Sequence, residues 1–303
     1  MPDSIDVAGL KRRLGRVGVW SSTLSRESAS FEREAAAEVE GLGFGTLWVG
    51  EAPKSKEALV HSAILLGATQ RLMVATGIAN IWARDAIAAS NGANTLAEAF
   101  DGRFLLGLGV SHAPLVSTRG HDYRKPLSVM RAYLDAMDAT EYDGPLPEPA
   151  PRVLAALRPK MLELAAQRTQ GAHPYFVTPE HTARSREVLG PEPLLAPEQA
   201  IVLDTDPARA RQRARHYMAL YLALPNYLNN LRDLGWNEKD FANGGSDALV
   251  DAIVPWGDPQ AIAERVRAHH DAGADHVCIQ PLADTPREML EHLRVLAPLL
   301  IQS

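Results

Sequence analysis

With 303 residues, 46% of them hydrophobic, the chain is long enough for one α/β barrel or two smaller domains around a large core. A formal net charge of −6 argues against nucleic acid or an anionic membrane surface as the main partner. The single cysteine, Cys278, excludes an internal disulfide, and no run of about 18 apolar residues offers a membrane span or a signal peptide, so a cytoplasmic protein is expected.

Val17-Gly18-Val19-Trp20 reads as a first strand that ends in Ser21 and Ser22. A helix over 26–40 follows, rich in Ala and Glu and stopped by Gly41 and Gly43. The second strand, 46–49, ends at Gly50-Glu51, and a helix over 55–67 leads to a third strand at 72–76. Its continuation, Gly77-Ile78-Ala79-Asn80, turns polar before Trp82 and Arg84. The next helix, 86–100, is full of Ala, Ser, Asn and Gly. The fourth strand is the apolar run Phe104-Leu105-Leu106, which passes through Gly107-Leu108-Gly109-Val110 into Ser111-His112.

An irregular insertion over 114–125 precedes a helix carrying Leu127, Met130, Leu134 and Met137 at helical spacing. The stretch 142–151 holds Gly144 and four prolines and is read as loop. A fifth strand is expected at 152–156, then a helix opening at Pro159 with Arg158 and Lys160 beside it. The sixth strand is placed at 174–177, running into Thr178-Pro179-Glu180-His181 and a helix to 189. The seventh is placed at 200–203, followed by a long helix from Asp206-Pro207 to 224. A second insertion, 225–257, holds helical pieces over 227–234 and 246–253. Helix 258–272, strand 276–280 and helix 286–300 complete the chain.

Eight strands alternating with helices call for a parallel sheet with helical crossovers. Over this length they predict a single domain, 1–303, folded as a (β/α)8 TIM-type barrel with insertions after strands 4 and 7. An open doubly wound sheet would want a Gly-rich phosphate turn after the first strand, which Trp20-Ser21-Ser22-Thr23 is not. In a parallel barrel ligands bind at the carboxyl ends of the strands. Trp20, Glu51, Trp82 and the Gly109-Val110-Ser111-His112 run fall there. Gly107 and Gly109 lack a Cβ and allow close approach by a flat ligand or another backbone.

These motifs resemble the luciferase-like flavin monooxygenase superfamily, in the branch that uses the deazaflavin coenzyme F420. The resemblance rests on Thr76-Gly77-Ile78-Ala79-Asn80 with Arg84, on Arg103-Phe104-Leu105-Leu106-Gly107-Leu108-Gly109, on Gly171-Ala172-His173-Pro174-Tyr175-Phe176-Val177-Thr178-Pro179-Glu180-His181, and on Ala272-Gly273-Ala274-Asp275-His276-Val277. It implies a barrel that moves a hydride between a deazaflavin and a small organic substrate. It further implies a bulge behind the ring with a cis Gly77-Ile78 bond, and ring contacts from Trp20, Asn80, Gly109, Val110 and Ser111. A phosphate site is implied at Leu157, Arg158 and Lys160, completed by Thr178 and His181, as is a homodimer built near the small-residue helix. His112 is the expected catalytic acid or base, with Glu51 and Trp82 as further candidates near the substrate. An FMN-dependent monooxygenase of the same superfamily is the alternative, and a non-catalytic flavin- or deazaflavin-binding barrel is another.

Other polar residues read as structural. His61 sits within a helix, and His269-His270 on an outer helix is expected to be a solvated face. Cys278, inside His276-Val277-Cys278-Ile279, is expected to be a small buried hydrophobe. No metal site is expected, because no His-x-His follows a strand and no second cysteine exists.

Overall fold

The short apolar runs fold as strands whose two faces are both covered, which is why they read as near-continuous hydrophobic stretches. In the computed structural model, which describes residues 5–145 and 148–301, they are β1 (Val17–Ser21), β2 (Thr46–Val49), β3 (Met73–Thr76), β4 (Ala79–Asn80), β5 (Phe104–Gly109), β6 (Arg152–Leu154), β7 (Gly171–Ala172), β8 (Leu194–Leu195), β9 (Glu198–Ile201) and β10 (Val277–Pro281). All pairings are parallel, in the order β8-β7-β6-β5-β3-β2-β1-β10-β9, with β4 beside β5. The two end strands, β8 and β9, are consecutive pieces of one run separated only by Ala196 and Pro197. The Ala196 amide donates to Ala172 (2.9 Å), while Pro197 accepts from Cys278 (2.9 Å), so this run reaches both neighbours. The result is an α/β fold with a curled parallel sheet.

Helices occupy the connections: α1 (Val7–Leu14), α2 (Ala29–Gly41), α3 (Ala58–Leu66), α4 (Ala86–Ala99), α5 (Ala113–Ser117), α6 (Pro126–Asp138), α7 (Pro159–Arg168), α8 (Pro179–Leu189), α9 (Pro207–Tyr221), α10 (Pro225–Asp233), α11 (Glu238–Phe241), α12 (Asp247–Ile253), α13 (Pro259–Asp271) and α14 (Pro286–Leu300). Prolines open α6, α7, α8, α9, α10, α13 and α14, where their missing N–H would have had no partner anyway. Side chains of Ser28, Glu57, Asp85, Thr178, Asp206, Ser246, Asp258 and Thr285 cap the amides that follow them.

One apolar cluster joins Leu14, Trp20, Trp48, Met73, Leu105, Val153, Leu194 and Cys278. Apart from Leu14 at the end of α1, these residues come from strands spread along the whole sheet, so only its concave face can bring them together. A larger cluster lies between the strands and the helix layer. A third packs α9, α10 and α12 against Phe176, Ala200 and Val202. Cys278 is fully buried, as its apolar run indicates. Among the described residues no helix is long and apolar enough to cross a membrane.

Several expectations need correction. The strand expected at 174–177 is not a strand: pairing ends at Ala172, and Phe176 takes φ +60°. The strand at 194–195, hidden among Pro191, Pro193 and Pro197, was not anticipated, and the one expected at 200–203 begins at Glu198. His269 is not solvated. It is fully buried, accepting from the Thr182 hydroxyl at Nδ1 (2.8 Å) and donating to Gln199 Oε1 from Nε2 (2.8 Å). Helices expected from 26 and 55 start at Ala29 and Ala58, after a 3-10 turn and a capping Glu57. In the proline-rich loop, residues 142–145 and 148–151 are irregular, and 146–147 lie outside the described residues.

Candidate functional site

The floor of the site is the interruption between β3 and β4. The Gly77-Ile78 bond there is cis. The Ile78 side chain lies across Gly109, where a Cβ would stand 2.5 Å from Ile78 Cδ1. A Cβ on Gly107 would meet the Thr76 carbonyl at 2.0 Å, and the Thr76 hydroxyl binds Gly107 through both its carbonyl (2.7 Å) and its amide (2.9 Å). Gly107 is therefore demanded by the close backbone approach, while Gly109 leaves room for the Ile78 side chain laid across it.

Trp20, at the end of β1, donates its indole N–H to the Gly77 carbonyl (3.1 Å). On the other side, the Trp82 indole donates to Val110 (3.0 Å) and its amide to Asn80 Oδ1 (3.0 Å). Asn80 is fixed in turn because its amide donates to Glu51 Oε2 (2.7 Å). Arg84 pairs with both Glu51 and Glu57, and the Glu51 side chain is almost fully buried. Glu51 is thus an anchor for Asn80 and Arg84 in this arrangement rather than a free carboxylate at the mouth.

A chain of rings forms one wall. His112, the residue before α5, packs on Tyr227 with 5.5 Å between ring centres. Tyr227 packs on Tyr221 (5.2 Å), Tyr221 on Tyr175 (5.3 Å), and Tyr175 on Trp20 (5.3 Å). The Tyr175 hydroxyl donates to Gln280 Oε1 (2.8 Å) and lies 2.9 Å from the Tyr221 hydroxyl, which must then be the donor between them. Burial lowers the His112 pKa from its ordinary value, and the Asn226 side chain partly offsets that. Ser111 takes φ +58°, which turns the chain between β5 and His112. Below this layer, His173 stacks on Trp48 at 4.3 Å. His173 donates from Nδ1 to the Ala196 carbonyl (2.7 Å), and burial pulls its pKa down to about 4.

A third group gathers where α7 and α8 begin. Arg158 and Lys160 are exposed, and no side chain caps the start of α7, where Pro159 has no N–H and the Met161 and Leu162 amides bond the Arg158 carbonyl (3.0 and 3.2 Å). Arg158 pairs with Asp233 at 3.2 Å, on the surface. His181 is buried, and both of its ring nitrogens are engaged: Nε2 donates to the Leu157 carbonyl (2.7 Å) and Nδ1 meets the Ser185 hydroxyl (3.2 Å). Thr178 caps the His181 amide. Thr178 and His181 therefore hold the Leu157 turn in place from behind.

The structure brings Trp20, Glu51, Gly77, Ile78, Asn80, Trp82, Gly109 and Val110 together around one floor, His112 onto the aromatic wall, and Leu157, Arg158, Lys160, Thr178 and His181 at one corner. The sequence reading missed Tyr175, Tyr221, Tyr227, Glu198 and Gln280. For Glu198 a signal existed, since an acid inside Leu194-Leu195-Ala196-Pro197-Glu198-Gln199-Ala200-Ile201 is out of place unless it is buried for a reason. A groove of about 420 Å3 lined by Asp251, Trp256, Glu264 and Arg265 shares none of these residues. Its Trp256 indole and Arg265 guanidinium are already bonded to Asp251 and to the Asp251 and Ala252 carbonyls.

The sequence profile of the luciferase-like monooxygenase family matches residues 14–276. A Mycobacterium tuberculosis protein that carries the name of a coenzyme F420-dependent oxidoreductase is 28% identical over 263 residues, 71% of this chain and 73% of its own. A 5,10-methylenetetrahydromethanopterin reductase of Methanolobus tindarius is 23% identical over 211 residues, covering 61% of this chain but only 65% of its own length. An F420-dependent secondary alcohol dehydrogenase solved with an F420-acetone adduct shares the fold with a TM-score of 0.75 at 14% identity, over 94% of this chain and 98% of that one. The chain belongs to the luciferase-like monooxygenase family.

Proposed function

We propose that the protein is a coenzyme F420-dependent oxidoreductase that moves a hydride between the deazaflavin and a small organic substrate. The observation that carries this reading is the Ile78 side chain laid across Gly109, beside the close approach at Gly107, a glycine-lined floor that would suit the face of a planar tricycle. When bound, the deazaflavin supplies the hydride chemistry, and the protein supplies position, exclusion of water and a proton. Gly77 and Ile78 support the ring from behind. Trp20, Asn80, Gly109, Val110 and Ser111 border it, and Trp82 faces the substrate side. The uncapped start of α7 with Leu157, Arg158 and Lys160 receives the phosphate, with Thr178 and His181 holding that turn. His112 holds or accepts a proton at its ring nitrogen. Within this reading the 303-residue chain is one domain and works as a cytoplasmic homodimer, and the exposed Val60 on α3 and Ile87 on α4 support the contact between copies.

Cofactor choice tests the proposal. In a fluorescence titration of the purified protein, F420 is expected to bind at least about tenfold more tightly than FMN, a difference of roughly 1.4 kcal/mol. Equal or reversed affinities would overturn it in favour of an FMN-dependent monooxygenase. Arg158→Ala is expected to weaken F420 binding more at low salt than at high salt, because the contact is charge on charge.

A further inference from the structure

Glu198 has no part in the reading above, yet its surroundings are unusual for a carboxylic acid. It stands in β9 opposite Cys278 of β10, on the concave side of the sheet, and is 1% exposed. Among the described residues no cation pairs with it. Its Oε2 accepts the Phe176 amide (3.1 Å), while Oε1 is buried without a partner. The groups facing it are the hydroxyls of Tyr175, of Tyr217 and Tyr221 on α9 and of Tyr227 on α10, together with the Cys278 thiol. The Tyr217 hydroxyl, beside both Glu198 and Tyr175, is also buried without a hydrogen-bond partner.

The amide that Glu198 holds belongs to a residue in an uncommon conformation. Phe176 takes φ +60°, the left-handed region that bulky side chains avoid unless the surroundings enforce it. Tyr175 is its immediate neighbour, and Tyr175 is the knot of the wall. Its ring meets Trp20, which is bonded to the Gly77 carbonyl, and its hydroxyl meets Gln280 and Tyr221, which leads through Tyr227 to His112. A backbone shift at residue 176 would move both ends of that chain. We propose that Glu198 is a positioning residue of the candidate site, pinning the Phe176 turn so that Tyr175 holds Trp20 against the floor and Tyr221 toward His112.

Burial away from any cation pushes the Glu198 carboxyl up to about 8, with the Phe176 amide opposing. At pH 7 the acid is therefore mostly neutral, and since Oε2 accepts the Phe176 amide, its proton is placed on Oε1. Once ionised, it needs further O–H donors, and the Tyr217 and Tyr221 hydroxyls are the groups that face it, Tyr221 being already bonded to Tyr175. A rearrangement of these contacts is therefore expected on ionisation near pH 8. The facing tyrosines, raised by the same burial, stay neutral across that change.

The test has one arm without ligand and one that rests on the proposed cofactor. In near-ultraviolet circular dichroism between pH 6 and 9.5, the wild type is expected to show a transition centred near pH 8. Glu198→Gln, which still offers an oxygen to the Phe176 amide but carries no titrating proton, is expected to abolish it. Tyr217→Phe, which removes a donor to the carboxylate, is expected to move the midpoint upward, and it serves if Glu198→Gln fails to fold. A transition that persists in Glu198→Gln, a wild type without one, or an unmoved midpoint in Tyr217→Phe overturns the proposal. In the second arm, F420 affinity is expected to fall at least about threefold between pH 7 and 9 in the wild type and to stay level in Glu198→Gln. A level wild-type affinity also overturns it. If F420 does not bind at any pH, the cofactor reading fails while the first arm still decides the role of Glu198.

Discussion

At the scale of single residues, the proposed hydride transfer asks for a side chain that moves a proton. The proposed role falls to His112, which stands at the end of the aromatic wall next to the turn at Ser111. Its lowered pKa favours the neutral ring at pH 7, the form that could act as a base. His112→Ala is expected to lower turnover about 10²- to 10⁴-fold while F420 affinity stays within a few-fold, read from steady-state rates beside a binding titration. If His112 only braces its loop, affinity or thermal stability will fall along with turnover. The sequence could show that His112 and Glu51 lie beyond strand ends, because that follows from local order. It could not show that Glu51 is taken up by Asn80 and Arg84, or that His269 finds Thr182 and Gln199, because those partners are distant in sequence. Burial of a polar residue is legible only when its neighbours are apolar, and the His269-His270 pair sits in a charged helix.

At the scale of elements, the floor depends on two strands approaching more closely than side chains permit. A methyl group on Gly107 would lie 2.0 Å from the Thr76 carbonyl, a backbone atom that cannot turn aside. Gly107→Ala is therefore expected to destabilise the protein by about 1–3 kcal/mol in urea unfolding and to weaken F420 binding, since β3 and β5 must separate. Gly41, at the end of α2, meets nothing within 4 Å and has no left-handed φ. Gly41→Ala is expected to be neutral or stabilising by up to about 1 kcal/mol, which makes it the control. A Gly107→Ala protein as stable as Gly41→Ala would mean that the floor is looser than drawn. Elements marked by local chemistry were legible: β2 falls at 46–49 as read, and α7 opens at Pro159 as its proline indicates. Elements made by long-range pairing were not. Leu194–Leu195 is too short and too proline-flanked to announce a strand, and it is one only because β7 offers it an edge. Residues 174–177 look like a strand by composition, but the left-handed Phe176 takes them out of register.

At the scale of the whole molecule, alternation of apolar runs with helices was enough to indicate a parallel sheet wrapped in helices, because only crossover helices can join parallel neighbours. The third core, where α9, α10 and α12 meet Phe176, Ala200 and Val202, was not legible, since it needs a strand face and an insertion to be placed together. The same burial that builds these cores sets how the fold responds to pH. His61, His173 and His276 are held down to about 4 and His269 to about 3, in each case mainly because burial disfavours the charged ring. Unfolded, these rings would titrate near 6.5. Between pH 6.5 and about 4 the unfolded chain therefore binds more protons than the folded one, and stability is lost as pH falls through that window. Each histidine contributes a slope of up to about 1.4 kcal/mol per pH unit. Glu198 has the opposite sign. Its pKa is raised to about 8 in the fold, so from about 4.5 to 8 the folded state binds the extra proton and stability falls as pH rises. Glu32, also raised by burial, acts in the same direction. Below 6.5 the four histidines outweigh the acids, and above 6.5 Glu198 remains. Urea unfolding is therefore expected to show greatest stability near pH 6.5, a steep decline toward pH 4.5 and a shallower one toward pH 8. Glu198→Gln is expected to flatten the alkaline side and leave the acid side as it is. A stability curve that is level from pH 6.5 to 4.5, or one that rises from 6.5 to 8, would show that these buried groups are hydrated in solution and that the dry interior described around Trp48 and Glu198 is not maintained.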